Sequence, residues 1–518
     1  MARLAFKPDS SFFEKIVRGA IGTRAVCDDL NRNGHHMAEL ERGSLDTKLW
    51  KDVKRKRVRI PDLLCVSCGL RIESRAKAKA ELTMSHSEGD AERAWDFGMV
   101  DSDLVAFPVC ETTRKRFWSQ GKLDRPDSYW HERNWANWRA SGRINYFPVS
   151  AFRSVPFQNK TIKGVTEGSE SIIAWPATFS TRTGLVERVE GQKVAIRRTA
   201  DKHLYVWNIP SGRRIFVEPG EYVQDYQVIA SAVEPADHAQ LACPAALPDN
   251  HVATLLQSRE RTQRFTGIKL ARLTRDGNHV AAVEQLTLDP EEDIYIRLEG
   301  MAYLASVAGH SARTLFETSL RSPNHQTQLE AVIAIGETAT SEAVELLSEI
   351  LDHTDHPYFL RSAAAWCLGQ IGGDAAISKL IQLFRDVDVK LREEALDRIV
   401  AIGQEAFPAL CEHIHAQDMD LAAGCAEALR QQSLPDALLS ELLPKLGSQP
   451  APPFWPVWLF GNLPRHQAAP IIAELQATAP ELHYALSLLW SFTESWIAQR
   501  WELTPGTQPR DMEVTDDV

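Results

Sequence analysis

The sequence predicts a multidomain chain: a mixed α/β domain first, a small β-rich module next, and an all-α solenoid in the C-terminal half. Three observations carry this. Residues Arg59 to Lys77 have the pattern of a β-hairpin, residues Val155 to Val233 spell short alternating strands broken by turn residues, and from about Asp293 a helical pattern recurs at a fixed interval. With 518 residues and 44% hydrophobic composition the chain is too long for one core and apolar enough to build several.

The hairpin is the most informative stretch. A tight reversal centred near Ser67 and Cys68 in RIPDLLCVSCGLRIESRAK places Asp62 almost opposite Glu73 on antiparallel strands. The two-residue strand period then adds Arg75 and Lys77 to the face that carries Glu73. Two carboxylates can hold a divalent cation, and a nearby lysine can orient water and offset phosphodiester charge, which is the chemistry of metal-assisted hydrolysis. The plainer reading is a solvated strand edge with incidental charges.

Pro61-Asp62, with Glu73 and Lys77, resembles the PD-(D/E)xK nuclease superfamily. The lysine of that pattern normally stands two residues after the acid; here Arg75 takes that place and Lys77 follows one strand period later, so either Lys77 has assumed the role or the site is degenerate. The segment Ser10–Gly22, with Glu14 among helically spaced apolar residues, resembles the helix that precedes the active hairpin in that superfamily. Buried strands are expected over Asp101–Cys110 and Gly142–Val149, with a helix around Glu88–Phe97 between the hairpin and the first of them. The resemblance covers roughly residues 1–155. It implies Asp62 and Glu73 as Mg²⁺ or Mn²⁺ ligands, Lys77 and Arg75 near the attacked phosphate, and Glu14 as an accessory acid.

Four of the eight cysteines, Cys27, Cys65, Cys68 and Cys110, fall in this first domain, and Cys65-x-x-Cys68-Gly69 has zinc-knuckle spacing. Cys27 and Cys110, or the pair His35-His36, are candidates for the remaining ligands of a structural Zn²⁺. Buried reduced thiols and redox chemistry are the alternatives. Cys243, Cys367, Cys411 and Cys425 are scattered, the last three in apolar helical contexts that read as core.

A net charge of −11 conceals an asymmetry: residues 1–200 hold 35 Lys+Arg against 25 Asp+Glu, whereas residues 201–518 hold 23 against 44. The basic half includes Lys54, Arg55, Lys56 and Arg57 just before the hairpin, and Arg114, Lys115 and Arg116 leading towards Trp130, Trp135 and Trp138. Basic residues interleaved with aromatics suit phosphate contact and base stacking, so DNA or RNA is the expected partner of this half; solvated lysines over a Trp-rich core is the competing reading.

Turns at Pro210-Ser211-Gly212 and Glu218-Pro219-Gly220 punctuate the β-rich stretch. Ile209–Ala230 resembles a barrel-sandwich hybrid module, similar to one in the largest subunit of bacterial RNA polymerase and more loosely to lipoyl domains. Asp201-Lys202-His203 does not sustain a lipoyl-attachment pattern, and a structural or partner-docking module is expected.

In the repeat region Leu304, Ile335, Leu368 and Ile399 align at intervals of 31, 33 and 31 residues, each in a small apolar first helix followed by a second helix such as Leu346–Leu351 or Leu380–Phe384. A weaker fifth unit starts near Leu421. This looks like HEAT repeats, which bury their faces by stacking on neighbours. An acidic solenoid suits a protein partner or a second copy of the chain better than nucleic acid.

The expected organisation is 1–155 nuclease-like, 156–240 barrel-sandwich-like, 241–292 a linker or helical connection, 293–450 HEAT solenoid, 451–503 a helical cap and 504–518 an acidic disordered tail. The first residues lack the apolar core of roughly 7–15 residues of a signal peptide, and no run approaches the about 20 apolar residues of a membrane span, so a cytoplasmic protein without membrane contact is expected. No GxxxxGK[ST], GxSxG or HExxH occurs, leaving ATP hydrolysis, esterase and zinc-protease chemistry without residues. The reading is a metal-dependent nuclease on a HEAT scaffold, by analogy of domain type in defence against foreign DNA. The alternative is a non-catalytic HEAT scaffold or adaptor with an inactive nuclease-like domain, favoured by Arg75; a transcription adaptor is a third possibility, resting on the β module alone.

Overall fold

A computed structural model of the protein describes residues 9–45, 60–112, 138–160, 170–244, 246–432 and 454–462, together with 477, 480 and 484. The chain divides into two compact units, Met1–His310 and Ser311–Val518.

The first unit is built on α1 (Asp9–Arg32) and a five-stranded sheet. Its strands are β1 (Met37–Glu39), β2 (Leu63–Cys65), β3 (Arg71–Ser74), β5 (Leu104–Thr112) and β6 (Trp138–Pro148), in the order β1-β2-β3-β5-β6. β1, β2 and β3 form an antiparallel meander, β5 runs parallel to β3, and β6 returns antiparallel. α1 turns Val17, Ala20, Val26 and Leu30 inward, the helical spacing of a buried stripe. A Cβ at Gly22 would come 2.5 Å from the Ala76 Cβ and 2.9 Å from the Pro108 ring, so the helix needs glycine at that crossing.

β5 separates two cores by alternation. Leu104 and Ala106 join Val26, Leu30, Leu63, Ile72 and Tyr146 on the α1 side. Val105 and Phe107 face a larger aromatic core with Trp95, Phe147, Phe152 and Trp175. The expected helix around Glu88–Phe97 is instead one 3₁₀ turn, Ala91–Arg93, capped by the Asp90 side chain. Gly89-Asp90 before it and Gly98 after it leave too short a stretch for helix propagation, and Trp95 is drawn into the aromatic core.

β4 (Leu82–Ser87) leaves that sheet and pairs antiparallel with β8 (Glu170–Trp175), which also pairs β7 (Gln158–Lys160) beyond the short helix α2 (Val149–Arg153). Pairing therefore crosses residue 155, from Leu82↔Trp175 to Ser87↔Glu170. The remaining strands form a four-stranded sheet, β12 (Leu204–Asn208), β11 (Lys193–Arg198), β10 (Gly184–Glu190) and β14 (Tyr222–Val223), and a three-stranded one, β13 (Arg214–Ile215), β15 (Val228–Ser231) and β9 (Ala177–Phe179). Gly212 and Gly220, at φ +79° and +92°, occupy the two turns expected from sequence.

Helices α3 (His251–Leu256), α4 (Arg261–Leu273), α5 (Val280–Leu288) and α6 (Ile294–Ser306) complete the first unit and are tied to the sheet domain by buried charge. Arg71 forks onto Asp103 at 2.9 and 2.5 Å and reaches Thr266 Oγ1 of α4 at 3.2 Å. Glu299 of α6, wholly buried, pairs with Arg42, with Arg272 at 2.7 Å and with Lys269 at 3.9 Å. α6, which carries Leu304 of the aligned repeats, packs on α4 and α5 within this unit.

The second unit is a repeat array of α7 (Ala312–Leu320), α8 (His325–Thr338), α9 (Ser341–Asp352), α10 (Tyr358–Ile371), α11 (Gly373–Gln382), α12 (Val389–Ile402), α13 (Phe407–His413) and α14 (Met419–Gln431), with α15 (Phe454–Gly461) packing on α14. α8, α10, α12 and α14 stack in succession, burying Ile335, Leu368, Ile399 and Leu429 at the seams. Asn324, Thr340, Asp388 and Asp418 cap their helices with side-chain oxygens.

Candidate functional site

The chemistry-bearing side chains of the first unit gather along the β2–β3 hairpin. Its register pairs Leu63 with Ile72 and Leu64 with Arg71, so the next pair outward is Asp62 and Glu73. Asp62 is held by the Ser74 amide, which donates to its Oδ2 at 2.8 Å, and the Glu41 amide donates to its carbonyl at 3.3 Å. Burial pushes the Asp62 carboxyl well above the ordinary carboxylate range, the charges of Glu73 and Glu41 push it further, and the Ser74 amide and Arg75 oppose them. Arg75 reaches back to Glu73 Oε1 at 3.0 Å. Arg75 Nε is buried without a hydrogen-bond partner beside Glu73, and so is Ser74 Oγ on the other face of the strand. The Lys77 ammonium lies 5.9 Å from the centre of the Phe107 ring, and its strand continues by a parallel bridge to Val109. Glu14 lies in α1 with its side chain outside the described residues, as are Lys54, Arg55, Lys56, Arg57, Arg114, Lys115, Arg116, Trp130 and Trp135. Trp138 is buried in β6 beneath Arg18.

The donor set at the acid pair consists of carboxylate oxygens, which fits a hard divalent cation such as Mg²⁺ or Mn²⁺. Glu41 was invisible from sequence as a member of this group: it follows β1 by two residues, and only sheet order brings β1 alongside β2.

At the other end of the same hairpin lies a sulfur-rich cluster. Cys65 ends β2; its amide donates to Leu70 O and its carbonyl accepts from Gly69 N, both at 2.8 Å, closing the reversal on Val66, Ser67 and Cys68. Gly69 sits at φ +75°, and a Cβ there would lie 2.6 Å from His251 Nε2, so both backbone and space require glycine. His35 Nδ1, Cys65 Sγ, Cys68 Sγ and Cys243 Sγ all lie within 4.8 Å of one another. The Cys68 hydrogen bond lowers the Cys65 thiol to about 4 while Cys68 itself is raised, the behaviour of one thiolate shared between two sulfurs.

Of the thiols expected around this pair, Cys27 and Cys110 stand elsewhere. Cys27 accepts from Asn31 Nδ2 on α1 and contacts Met37 O, and Cys110 is buried in β5, its thiol pushed up to about 12 by burial. Both sit on elements whose side chains are already committed to the sheet–helix core. His35 enters the cluster; His36 points its Nδ1 at Ser67 Oγ instead, at 2.6 Å. Cys243 was missed because it is 178 residues from Cys65 and has no motif around it.

A family model described as HEAT repeats matches residues 312–397. Similar solved structures include Escherichia coli YibA (14% identity, 47% of this chain and 92% of that chain, TM-score 0.24) and the CpcE–CpcF complex of phycocyanin lyase from Nostoc sp. PCC7120 (16%, 49% and 98%, TM-score 0.24). Human deoxyhypusine hydroxylase in complex with glycerol is also similar (15% identity, 46% and 86%, TM-score 0.18). A search of curated protein sequences finds no match. Among the described residues no helix is long and apolar enough to cross a membrane. The C-terminal half of this chain thus carries HEAT repeats, joined to an N-terminal β-sheet region.

Proposed function

We propose that this protein is a HEAT-repeat scaffold that binds a protein partner, or a second copy of itself, through the array, and displays an N-terminal domain bearing an acid hairpin. The observation that carries it is the stack of α8, α10, α12 and α14, the first two of which and most of the third fall within the family match over 312–397. Stacked helix pairs present extended surfaces, and the acidic balance of residues 201–518 favours a basic protein surface over nucleic acid. Affinity capture with the full chain against the same chain carrying charge-reversed array residues Glu317, Glu345 and Glu349 tests this. Loss of partner or self-association in the reversed protein is expected; unchanged association would overturn it.

A second reading, metal-dependent cleavage of DNA or RNA, is favoured by one observation: Asp62 faces Glu73 in a buried setting where a cation would relieve carboxylate repulsion. In this reading a divalent cation would supply Lewis acidity at a phosphoryl oxygen. Asp62 and Glu73 would bind it, Ser74 N would orient Asp62, and Arg75 would release Glu73 and move to the phosphate. The Arg75–Glu73 ion pair weighs against it, since the guanidinium in the lysine's place is already engaged. Incubation with plasmid, linear and single-stranded substrates plus Mg²⁺ or Mn²⁺ decides: cleavage abolished by Asp62→Ala and by EDTA supports it, and an inert wild type with every substrate and metal eliminates it. The same hairpin without cleavage would fit the inactive nuclease-like domain.

A further inference from the structure

We propose that His35, Cys65, Cys68 and Cys243 form a tetrahedral Cys₃His zinc site that staples the segment following β15 onto the β2–β3 reversal. Zinc bound to thiolates at about 2.3 Å in a tetrahedron holds its sulfurs about 3.8 Å apart and a sulfur–imidazole edge near 3.6 Å. Cys65 Sγ and Cys243 Sγ are 3.8 Å apart, and Cys68 Sγ and His35 Nδ1 are 3.7 Å apart. The sulfur separation is nearly twice a disulfide bond length, about 2.05 Å, and matches the metal-bridged value.

The imidazole is prepared for coordination. His35 Nε2 lies 3.0 Å from Leu241 O, and because a carbonyl can only accept, Nε2 carries the proton and Nδ1 presents its lone pair to the sulfurs. Backbone carbonyls commonly fix a metal-bound histidine in this way. Leu241 lies two residues before Cys243, so one short segment supplies both a ligand and the group that orients another. His35 and Cys65 are buried and Cys68 and Cys243 half-buried, so the site is closed on one side and open to loading from the other. Four ligands leave no open position, which makes the site structural.

The test is metal content and ligand accounting in the full-length protein, purified without chelators from zinc-supplemented culture. One zinc per chain is expected; Cys243→Ser and Cys65→Ser should each reduce it severalfold, whereas Cys27→Ser and Cys110→Ser should leave it at one. His35→Cys should keep the metal and His35→Ala should lose it. Should the cysteine variants fail to fold, the wild type still decides: cobalt substitution should give the absorption of a tetrahedral thiolate site. Alkylation followed by mass spectrometry should then find Cys65, Cys68 and Cys243 protected until a strong chelator is added. A wild type that takes up neither zinc nor cobalt, a Cys65–Cys243 disulfide in its place, or full zinc retention in Cys243→Ser would each overturn the assignment.

Discussion

The two units close their interiors over different ranges of sequence. The array is held by near-identical local seams: Ile335, Leu368 and Ile399 recur at a steady interval, each packed against the next pair of helices. The first unit adds contacts between residues far apart in sequence, such as Arg42 with Glu299 and Cys65 with Cys243, whereas the array's buried ion pair, Arg361 with Asp386, joins residues only 25 apart. A chain closed by distant polar contacts should fail abruptly when one is lost, whereas a stack of repeats should fail locally.

The largest expected effect is therefore at Glu299. Glu299→Ala removes the buried carboxylate that Arg42 and Arg272 share, at a cost of about 3–5 kcal/mol. Calorimetry should show the transition of the first unit collapsing while that of the array stays in place; a parallel loss in both would break the comparison. In the array, Leu368→Ala should cost about 2–5 kcal/mol through the cavity it opens. Its hydrogen-exchange signature should be confined to α8, α10 and α12.

How far this difference was legible in the sequence depends on range. The repeats were, because each seam repeats its own pattern; so was the pairing of Asp62 with Glu73, because hairpin register follows from a reversal a few residues away. The approach of Cys243 and of Glu41 was not, since only tertiary folding brings them to the hairpin. Nor was the attachment of α3–α6 to the first unit: their helical pattern says that they pack, and Arg71–Thr266 and Arg42–Glu299 say against what. The β4–β8 pairing across residue 155 likewise had no local sign.

Smaller effects sharpen the same contrast. Asn324→Ala removes the oxygen that accepts from the Gln326 and Thr327 amides at the start of α8 and should cost about 1 kcal/mol, with thermal denaturation as the readout. At Asp62 the expected change is one of slope. Its folded pKa is raised, so the folded state holds a proton that the unfolded state releases; stability from this group is present at low pH and is lost as pH rises from the ordinary carboxylate range through the raised value. Asp62→Asn should flatten that decline in denaturation midpoints measured without divalent cations. An unchanged slope would mean that the carboxylate is already compensated.

The buried Arg42–Glu299 pair also sets a schedule for synthesis. Its members lie 257 residues apart, so when Arg42 leaves the ribosome its counter-ion has not been made. At translation rates of about 5–20 residues per second the wait is roughly 13–50 s. Throughout that interval the sheet domain carries a guanidinium that has no carboxylate to be buried against. The N-terminal half thus completes its fold only as the last helix of its own unit emerges, while the repeats that follow can close one after another behind it.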